Sequence, residues 1–346
     1  MTALEARVRV PARGVDATVE VAAGGTLVLL GPNGSGKSTV LEAVAGMVPG
    51  ADVRVTLDGV DAPRAPRDRR IGLLSQDDAL FPTMSVRDNV AFGPRSAGAS
   101  RAAARAEADA WLARVGLDGL GDRRPGALSG GQARRVAIAR ALAAAPRVLL
   151  LDEPFAGLDV VVASEVRGLV AGLLAGVTAV VTTHDALDAY ALADTVAVMD
   201  SGAVVEAGEA VEVLTRPRTR FAARMGGRVL VEGTMRGGAL EIAAGVRVPV
   251  SGGPGAGVPA AVAAHPGAVA LAWSEPPESR ASGSAWVADA VRGLEPRGDV
   301  VRVHGALLAA DVPVEVVGGI AAGTPAWFGV PRGLEAYALT AGAPAR

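Results

Sequence analysis

Residues 31–39 read GPNGSGKST, a glycine-rich stretch from which the architecture of the surrounding domain can be predicted. It fits the pattern G-x-x-x-x-G-K-[ST], in which successive backbone N–H groups curl around phosphate oxygens and a lysine adds a compact positive charge. The apolar run TLVLL (26–30) precedes it, and STVLEAVAGMV (38–48) follows with helical spacing. The sequence therefore predicts a strand, a phosphate-binding loop and a helix whose N-terminus favours anions. The predicted phosphate-binding residues are Gly31, Pro32, Asn33, Gly34, Ser35, Gly36, Lys37, Ser38 and Thr39.

Lys37 is distinctive in this composition. Lysine and arginine total 34, and Lys37 is the only lysine, so every other basic residue is arginine. A chain rich in alanine, glycine, valine and arginine explains why lysine is rare but not why the one lysine stands here. A guanidinium group is planar and prefers a flat, bidentate partner, so arginine is not an equivalent substitute in a tight phosphate loop. We therefore interpret Lys37 as a phosphate ligand.

Length and composition limit the possible classes of protein. The 346 residues suit two domains of ~150 residues each. The net charge of −2 provides no overall basic field for nucleic acid or lipid, so we expect no nucleic-acid partner. The lack of cysteine excludes disulfides, a thiol nucleophile and cysteine metal sites. The N-terminus has no signal-peptide pattern, and no apolar run approaches the ~20 residues of a membrane span. We expect a soluble, cytoplasmic protein that reaches a membrane only through a partner.

The chain changes texture near residue 225. Before it, apolar runs alternate with helical patterns, which predicts an α/β domain over 1–225 with a largely parallel sheet. The expected strands are 26–30, 71–75, 147–151, 179–183 and 195–200. Residues 85–145 read as helical and predict a subdomain inserted between strands. Residues 226–346 contain short valine-rich segments separated by Gly and Pro, which predicts a small β domain, either a barrel or a sandwich.

The stretch VLLLDEP (148–154) is an apolar strand that ends in two carboxylates. Asp152 at the strand end is a candidate Mg²⁺ ligand together with the Ser38 hydroxyl. Glu153 is then placed to polarise an attacking water as a general base. An acidic turn is common in isolation, but its combination with a phosphate loop favours a nucleotide hydrolase.

The stretch ALSGGQARRVAIARAL (127–142) predicts a second anion-binding helix start. Ser129, Gly130, Gly131 and Gln132 would offer a hydroxyl, bare backbone N–H groups and the helix dipole. A serine N-cap alone would explain Ser129, but the pentapeptide LSGGQ is far more specific.

Together these motifs resemble the nucleotide-binding subunit of ATP-binding-cassette (ABC) transporters. GPNGSGKST is similar to the family's Walker A loop, LSGGQ to its signature, LLLDEP to its Walker B strand and GLD (157–159) to its D-loop. Gln76 in LLSQDD is similar to the Q-loop residue, and His184 in VVTTHD to the switch histidine. All occur in family order over roughly 1–225.

The resemblance implies ATP hydrolysis with Mg²⁺. Gln76 would reach Mg²⁺ or the attacking water, and His184 would contact the γ-phosphate and orient Glu153. Two copies would pair head to tail and enclose two ATP molecules, with Ser129 and Gly131 acting in the site of the other copy. Asp159, in the stretch similar to the D-loop, is also expected to bind the nucleotide. The fold implied is a P-loop NTPase cassette with an inserted helical subdomain.

The resemblance also implies partners. ALFPTMSVRDNVAFGP (79–94) combines apolar and polar residues and is either local core or, as in the family, a groove for a helix of a membrane permease. The expected permease contact is 77–94, which would place the chain at the cytoplasmic face of the membrane. The sequence pattern LFP-x-x-S/T-V resembles that of ATPases from importers that use a separate substrate-binding protein.

The C-terminal segment 281–340 is similar to the small oligomer-binding-like (OB-like, TOBE) domains of importer ATPases. Its sequence is most similar to the molybdate/tungstate branch of these ATPases. We therefore expect an ATPase that energises uptake of an oxyanion, with molybdate as the leading candidate cargo. Sulfate, ferric iron, polyamine and sugar remain the alternative cargoes. Arg280, Ser282 and Ser284 would offer donors to an oxyanion or simply form a polar turn.

The residues expected to contact adenine depart from the family pattern. Family members commonly stack adenine on an aromatic residue upstream of Walker A, whereas the first aromatic here is Phe81, leaving Arg13 or Val15 to face the base. Weak use of GTP would follow.

A cassette ATPase acting on nucleic acid or ribosomes is disfavoured by the single cassette and the absence of heptads. A binding-only regulator is disfavoured because Glu153, Gln76 and His184 are all present.

Overall fold

The computed structural model describes residues 2–242, 245–277 and 285–339. The chain divides into two compact units, one up to Ala210 and one from Val211 onward. The domain limits drawn from the sequence, 1–225 and 226–346, remain predictions, because the compactness of a unit and the limits of a family domain are different quantities. Within the described residues, no helix is both long and apolar enough to cross a bilayer.

The first unit is built on a six-stranded sheet in which five neighbouring strands are parallel. The strands of this unit are β1 (Thr2–Val10), β2 (Val15–Ala22), β3 (Thr26–Leu30), β4 (Asp52–Leu57), β5 (Val60–Asp61), β6 (Ile71–Leu74), β7 (Val148–Asp152), β8 (Ala179–Thr183), β9 (Thr195–Asp200) and β10 (Ala203–Glu209). The central order is β10-β9-β3-β8-β7-β6, with only β10 antiparallel. Every residue of β3, β7 and β8 is buried, because parallel strands are covered on both faces.

A second sheet of this unit, in the order β2-β1-β4-β5, is antiparallel and was not among the expected strands. Buried and exposed side chains alternate along β1 and β2, as they do in a strand with one buried face. Its buried side chains, among them Leu4, Val8 and Val19, join the core formed by α1 and the central sheet. The alternation in EARVRV and VDATVEV was the sequence signal for this sheet.

The helices of the first unit surround the central sheet and form the inserted subdomain. They are α1 (Lys37–Ala45), α2 (Val86–Ser96), α3 (Arg101–Arg114), α4 (Gly130–Ala143), α5 (Val160–Leu174) and α6 (Ala186–Leu192). The second, third and fourth helices follow β6 and precede β7, so the subdomain is inserted between two strands that pair in parallel. Ser85, Ser100 and Ser129 start these three helices, each accepting a bond from the backbone N–H three residues on.

The second unit consists of small sheets with short helices at its start. Its elements are α7 (Ala210–Thr215), which begins at the last residue of the first unit, α8 (Arg220–Met225), β11 (Val229–Arg236), β12 (Ala239–Ile242), β13 (Arg247–Gly252), β14 (Pro259–Ala264), β15 (Ala270–Ala272), β16 (Trp286–Ala290), β17 (Gly293–Arg297), β18 (Val300–His304), β19 (Ala309–Pro313), β20 (Pro325–Gly329), β21 (Leu334–Glu335) and β22 (Tyr337–Ala338). The sheets run β21-β13-β12-β11-β14-β22, β15-β20-β16 and β17-β18-β19. A shared core contains the fully buried Phe328.

The predicted fold class is confirmed: an α/β cassette with an inserted helical subdomain is followed by a unit of small β-sheets. The five strands expected from the sequence all form, and each observed end lies within one residue of the expected one. Arg280, Ser282 and Ser284 lie outside the described residues.

Candidate nucleotide-binding site

The loop 31–36 joins the end of β3 to the start of α1 and needs glycine at two positions for steric reasons. A Cβ on Gly31 would lie 2.4 Å from the carbonyl oxygen of Met199 and 2.5 Å from the Ser35 hydroxyl oxygen. Gly36 has φ 101°, and a Cβ there would lie 2.8 Å from a methyl carbon of Val15. The backbone of the loop is therefore free to approach a ligand closely, as a phosphate cradle requires.

Lys37 carries its ammonium group back into this loop. The residue is only 5% exposed, and Nζ donates to the carbonyl oxygens of Gly31 at 2.9 Å and Pro32 at 3.1 Å. Burial lowers the pKa of Lys37, and the nearby Glu153 and Asp152 carboxylates oppose that shift. A phosphate in the loop would add negative charge beside the ammonium and favour its protonated form in the same way.

The hydroxyl of Ser35 supports the assignment of this loop to an anion. It is buried, and among the described residues its oxygen has no hydrogen-bond partner. Buried polar atoms in folded proteins are nearly always paired, so an unpaired hydroxyl lining a glycine-rich loop fits a site whose ligand supplies the partner. Phosphate oxygens would accept a hydrogen bond from the Ser35 hydroxyl.

Asp152 is the meeting point of three elements. Its Oδ1 accepts a hydrogen bond of 3.1 Å from the Ser38 hydroxyl on α1 and one of 2.5 Å from the Thr182 hydroxyl on β8. A carboxylate and a hydroxyl are hard oxygen donors of the kind that Mg²⁺ takes when substrate phosphates and waters complete its shell. Within the described residues no group of three or more acidic or histidine side chains forms a metal site by itself. The donor set therefore fits Mg²⁺ bound together with a nucleotide.

Glu153 and His184 form a pair beside Asp152. Glu153 has φ 46°, an uncommon value for a residue with a side chain, and its N–H donates to the Thr182 carbonyl at 3.1 Å. This turns the chain at the end of β7, and Oε2 of Glu153 lies 3.4 Å from Nδ1 of His184. The carboxylate side chain is 15% exposed and the imidazole 56% exposed. The Glu153 carboxylate is therefore largely shielded from solvent, whereas the His184 imidazole is accessible to solvent and to a ligand.

Strand register explains why residues far apart in sequence meet here. Leu30 pairs with Thr183, Asp152 with Thr182 and Leu74 with Leu151. The carboxyl ends of four parallel strands therefore lie at one sheet edge, where α/β proteins bind their ligands. The loop after β3, the acids ending β7, His184 after β8 and Gln76 after β6 share this edge.

Gln76 belongs to a segment that the signature helix holds. The backbone carbonyl of Gln76 accepts a hydrogen bond of 3.0 Å from Arg134 of α4. Gln76 itself is exposed to solvent. Gln76 was recognisable from its motif, whereas Arg134 was not, because its contact depends on how the inserted subdomain folds back toward β6.

The LSGGQ residues build the start of α4. Ser129 and Gln132 exchange bonds in a capping box, at 3.4 Å from the Gln132 N–H to the Ser129 hydroxyl and 3.1 Å from the Ser129 N–H to the Gln132 side chain. A Cβ on Gly131 would lie 2.5 Å from Val162 of α5. Asp159 caps α5 by accepting from the N–H groups of Val161 and Val162. In the described part of the chain, no hydrogen bond joins residues 129–132 to the loop 31–39.

The sequence assigned no role to one further residue at the site, Thr182, and left open which of two others, Arg13 and Val15, faces the base. Thr182 holds Asp152, and only its position on the strand before THD hinted at it. Arg13 donates to the Thr39 hydroxyl at 3.3 Å and to Glu42 at 2.6 Å, so it lies against the first turn of α1. Val15 instead packs against Gly36. Both candidates for facing the base therefore flank the phosphate loop.

A phosphate loop between a parallel strand and a helix, with an acid pair at the end of a neighbouring strand, defines a P-loop nucleotide hydrolase. Residues 15–156 match the family model described as ABC transporter. The molybdenum import ATP-binding protein ModC of Mycobacterium tuberculosis (strain ATCC 25618 / H37Rv) is 42% identical, and the match covers 95% of each chain. The chain belongs to the ATP-binding subunits of ABC transporters, which are ATPases, and to their import branch.

Other relatives match a shorter part. The Fe(3+) ions import ATP-binding protein FbpC of Streptomyces coelicolor is 45% identical over 64% of this chain and 65% of its own length. The sulfate/thiosulfate import ATP-binding protein CysA of Escherichia coli (strain K12) is 39% identical over 66% of this chain and 65% of its own. The solved structure of cbiO1 from Clostridium perfringens, part of the ABC transporter complex cbiONQ, has a TM-score of 0.56 and 30% identity, and covers 64% of this chain and 93% of its own.

Proposed function

We propose that this chain powers molybdate uptake through a separate membrane permease. The supporting observation is the extent of similarity. The molybdenum import relative matches over 95% of both chains, whereas the iron and sulfate relatives match over 64% and 66% of this one. The similarity to the molybdenum protein therefore extends through the second unit, whereas the iron and sulfate matches leave about a third of this chain uncovered.

ATP binds with its phosphates in the loop 31–39. The Lys37 ammonium, the Ser35 hydroxyl and the loop N–H groups stabilise their negative charge, helped by the N-terminus of α1. Ser38, Asp152 and Gln76 are the residues that would hold Mg²⁺, which supplies positive charge against the phosphate oxygens. Thr182 keeps Asp152 oriented by its 2.5 Å hydrogen bond.

Glu153 acts as the general base for the attacking water. Its position follows from the turn at the end of β7, and His184 at 3.4 Å holds the carboxylate in place while facing the nucleotide. Gln76, at the end of the adjacent strand, contributes to positioning the water. Water must be placed and activated on one side of the γ-phosphate, so the three residues act as a unit.

A second copy of the chain completes each site. Ser129, Gly130 and Asp159 are exposed, Gln132 is half-buried and Gly131 is buried at this helix start. No described hydrogen bond joins these five residues to their own phosphate loop. A head-to-tail pair with two-fold symmetry places these groups over the phosphates bound by the other copy. ATP then stabilises the closed pair and hydrolysis releases it, which is the stroke that drives transport.

The permease contact lies in the helical subdomain, within 77–94. A groove of about 440 Å³ opens there beside α2. It is lined by Met84, Asp88, Ala91, Phe92, Arg95, Ser96, Arg101 and Arg105. The Phe92 and Phe81 rings pack 4.8 Å apart at its side. A groove that combines apolar side chains with charged ones suits a short amphipathic helix, here one presented by the permease at the cytoplasmic membrane face. A separate substrate-binding protein delivers the cargo.

A second candidate keeps the ATPase and changes the cargo to sulfate or ferric iron. The observation that favours it is the 45% identity of the iron relative over the matched region, which exceeds the 42% of the molybdenum relative. The cassette engine does not read the cargo, so identity within it weighs less than similarity along the whole chain. Polyamine and sugar have no such observation.

The test is ATP hydrolysis by the chain reconstituted in vesicles with the permease that co-purifies with it. Binding protein loaded with molybdate, sulfate or ferric iron is added in turn, and Glu153→Gln serves as the inactive reference. Stimulation by the molybdate-loaded protein alone supports the proposal. Stimulation by another ligand instead would replace the cargo and keep the ATPase.

A further inference from the structure

Arg134, in the second turn of α4, is bonded to the backbone of the segment that carries Gln76. Its Nη2 donates to the Gln76 carbonyl at 3.0 Å and its Nη1 to the Ser75 carbonyl at 3.4 Å. Both peptide groups directly follow β6, whose last residue pairs beside β7 and its terminal acids. One guanidinium therefore fixes the chain at the point where Gln76 leaves the sheet.

The guanidinium of Arg134 is buried, which makes this contact more than a surface bond. Its side chain is 6% exposed, and Nε lies 3.0 Å from Oδ1 of Asp78, as an ion pair without the alignment of a hydrogen bond. Burial raises the pKa of Asp78, and the positive charges of Arg134 and Arg140 oppose that shift. Asp78 thus compensates the buried charge, while the carbonyl bonds fix the backbone.

A second arginine of the same helix extends the contact. Arg140 donates to the carbonyl oxygens of Ala79 at 2.8 Å and Asp78 at 3.1 Å, and its guanidinium lies 5.3 Å from the centre of the Phe81 ring. The Ser75 hydroxyl donates to the Asp77 carbonyl at 2.7 Å. Every carbonyl from residue 75 to residue 79 therefore has a donor, and all but one of these donors come from α4.

The same helix begins at Ser129, the predicted anion-binding start. Arg134 follows this start by about one and a half helical turns and Arg140 by about three. Since the backbone hydrogen bonds of a helix keep it stiff over a few turns, a displacement of its first turn is passed to the segment 75–79. The structure thus contains a direct mechanical connection between the LSGGQ residues and Gln76.

We propose that Arg134 is a positioning residue that holds Gln76 in register with α4, so that Gln76 and the LSGGQ helix move as one body. This rests on the proposed ATPase role of Gln76. Without the two hydrogen bonds to the carbonyls of residues 75 and 76, the Gln76 side chain is unchanged but the backbone that carries it is no longer held in place. Nucleotide binding in the loop 31–39 stays intact, because Arg134 has no described contact there, while the placement of the attacking water suffers.

The experiment compares Arg134→Gln with Arg135→Gln in the full-length chain. Arg135 is the next residue of the same helix and pairs with the exposed Glu165 at 3.1 Å, away from residues 75–79. For Arg134→Gln we expect kcat to fall by about ten- to a hundredfold with the ATP dissociation constant within twofold of wild type, since a shift of about 1 Å has effects of this size. Hydrogen exchange of the 75–79 amides rises in this variant only. Unchanged kcat and exchange, or equal effects in both variants, would overturn the proposal.

Asp78→Asn separates positioning from stability. It removes the compensating charge but leaves the carbonyl bonds of Arg134, so we expect a lower melting temperature with kcat within about threefold of wild type. If Asp78→Asn and Arg134→Gln lower kcat and melting temperature in the same proportion, Arg134 is only structural. Absence of hydrolysis in the wild-type chain would instead refute the proposed function, independently of either variant.

Discussion

Nδ1 of His184 lies 3.4 Å from Oε2 of Glu153, across the ends of two neighbouring parallel strands. The carboxylate is held by the turn at φ 46°, and the imidazole follows β8 with more than half of its surface exposed. A sheltered acid oriented by an accessible histidine is suited to accept a proton from water beside a phosphate. This pair is the part of the site that most directly links the fold to hydrolysis.

Glu153→Gln should nearly stop ATP hydrolysis while leaving the nucleotide bound. The amide keeps the shape of the side chain but cannot accept a proton, so we expect kcat for ATP to fall about 10²–10⁴-fold with ATP binding retained. Since hydrolysis would open the proposed pair, ATP should also shift the variant toward a dimer. Steady-state kinetics and size-exclusion chromatography with ATP measure both effects.

Glu20→Gln is the matched control, because Glu20 is exposed on β2 and has no part in the proposed site. It should hydrolyse ATP at the wild-type rate. If Glu153→Gln retains near-normal turnover, another group is the base.

Lys37→Arg should impair the phosphate loop despite the preference for arginine everywhere else in the chain. Nζ reaches two loop carbonyls at 2.9 and 3.1 Å from a buried position, and a wider planar guanidinium does not fit the same space. We expect kcat/KM for ATP to fall at least about tenfold, or ~1.4 kcal/mol of transition-state stabilisation. Titration with a fluorescent ATP analogue separates weaker binding from slower chemistry. Wild-type kinetics would mean that the lone lysine has no special role.

Gly131→Ala tests the packing between the starts of α4 and α5. The added methyl would lie 2.5 Å from Val162, and overpacking of this kind costs about 1–3 kcal/mol. We expect a lower melting temperature, measured by scanning calorimetry. Gly130→Ala is the matched control, because its methyl would meet only a side-chain carbon of Leu158 at 3.8 Å. Val162→Ala combined with Gly131→Ala should restore part of the loss, and a failure to do so would place the clash elsewhere.

In the second unit, Asp311→Asn should destabilise the protein in a pH-dependent way. Arg302 donates to both carboxylate oxygens of Asp311, at 2.7 and 2.9 Å, and both side chains are nearly buried. This bonding lowers the pKa of Asp311 below its ordinary 3.8. A lowered pKa contributes stability that is present above pH 3.8 and is lost as the pH falls through the folded-state value. We expect a loss of about 1.5–3 kcal/mol at pH 7 that shrinks in acid.

Glu335→Gln removes the exposed Arg216–Glu335 pair and should change stability by less than about 1 kcal/mol at either pH. Urea unfolding of both variants at pH 7 and pH 3 measures the difference. A loss for Asp311→Asn that is the same at both pH values would contradict the charge-based explanation.

Particular residues show how far the sequence could be read. The strands at 26–30 and 179–183 were predictable because both faces are buried and the apolar run is continuous. The sheet of β1, β2, β4 and β5 was overlooked because alternating short segments give a weaker signal than a motif. Thr182 and Arg134 could not be assigned from the sequence, because each acts on a residue of another element, 30 and 58 positions away.

The phosphate loop, the acid pair at the end of β7 and the order of the motifs are evident from the sequence, because each depends on local chemistry. Glycine stands where the backbone must approach a phosphate, and carboxylates stand where a strand ends. The groups that orient these residues are brought to them by the folding of distant segments. The 2.5 Å bond from Thr182 to Asp152, the His184–Glu153 pair and the bonds from Arg134 to residues 75 and 76 all depend on strand order and on the folding of α4 against β6. Such contacts arise from the packing of distant segments, whose burial compensates the entropy of bringing them together, and no local pattern records that balance.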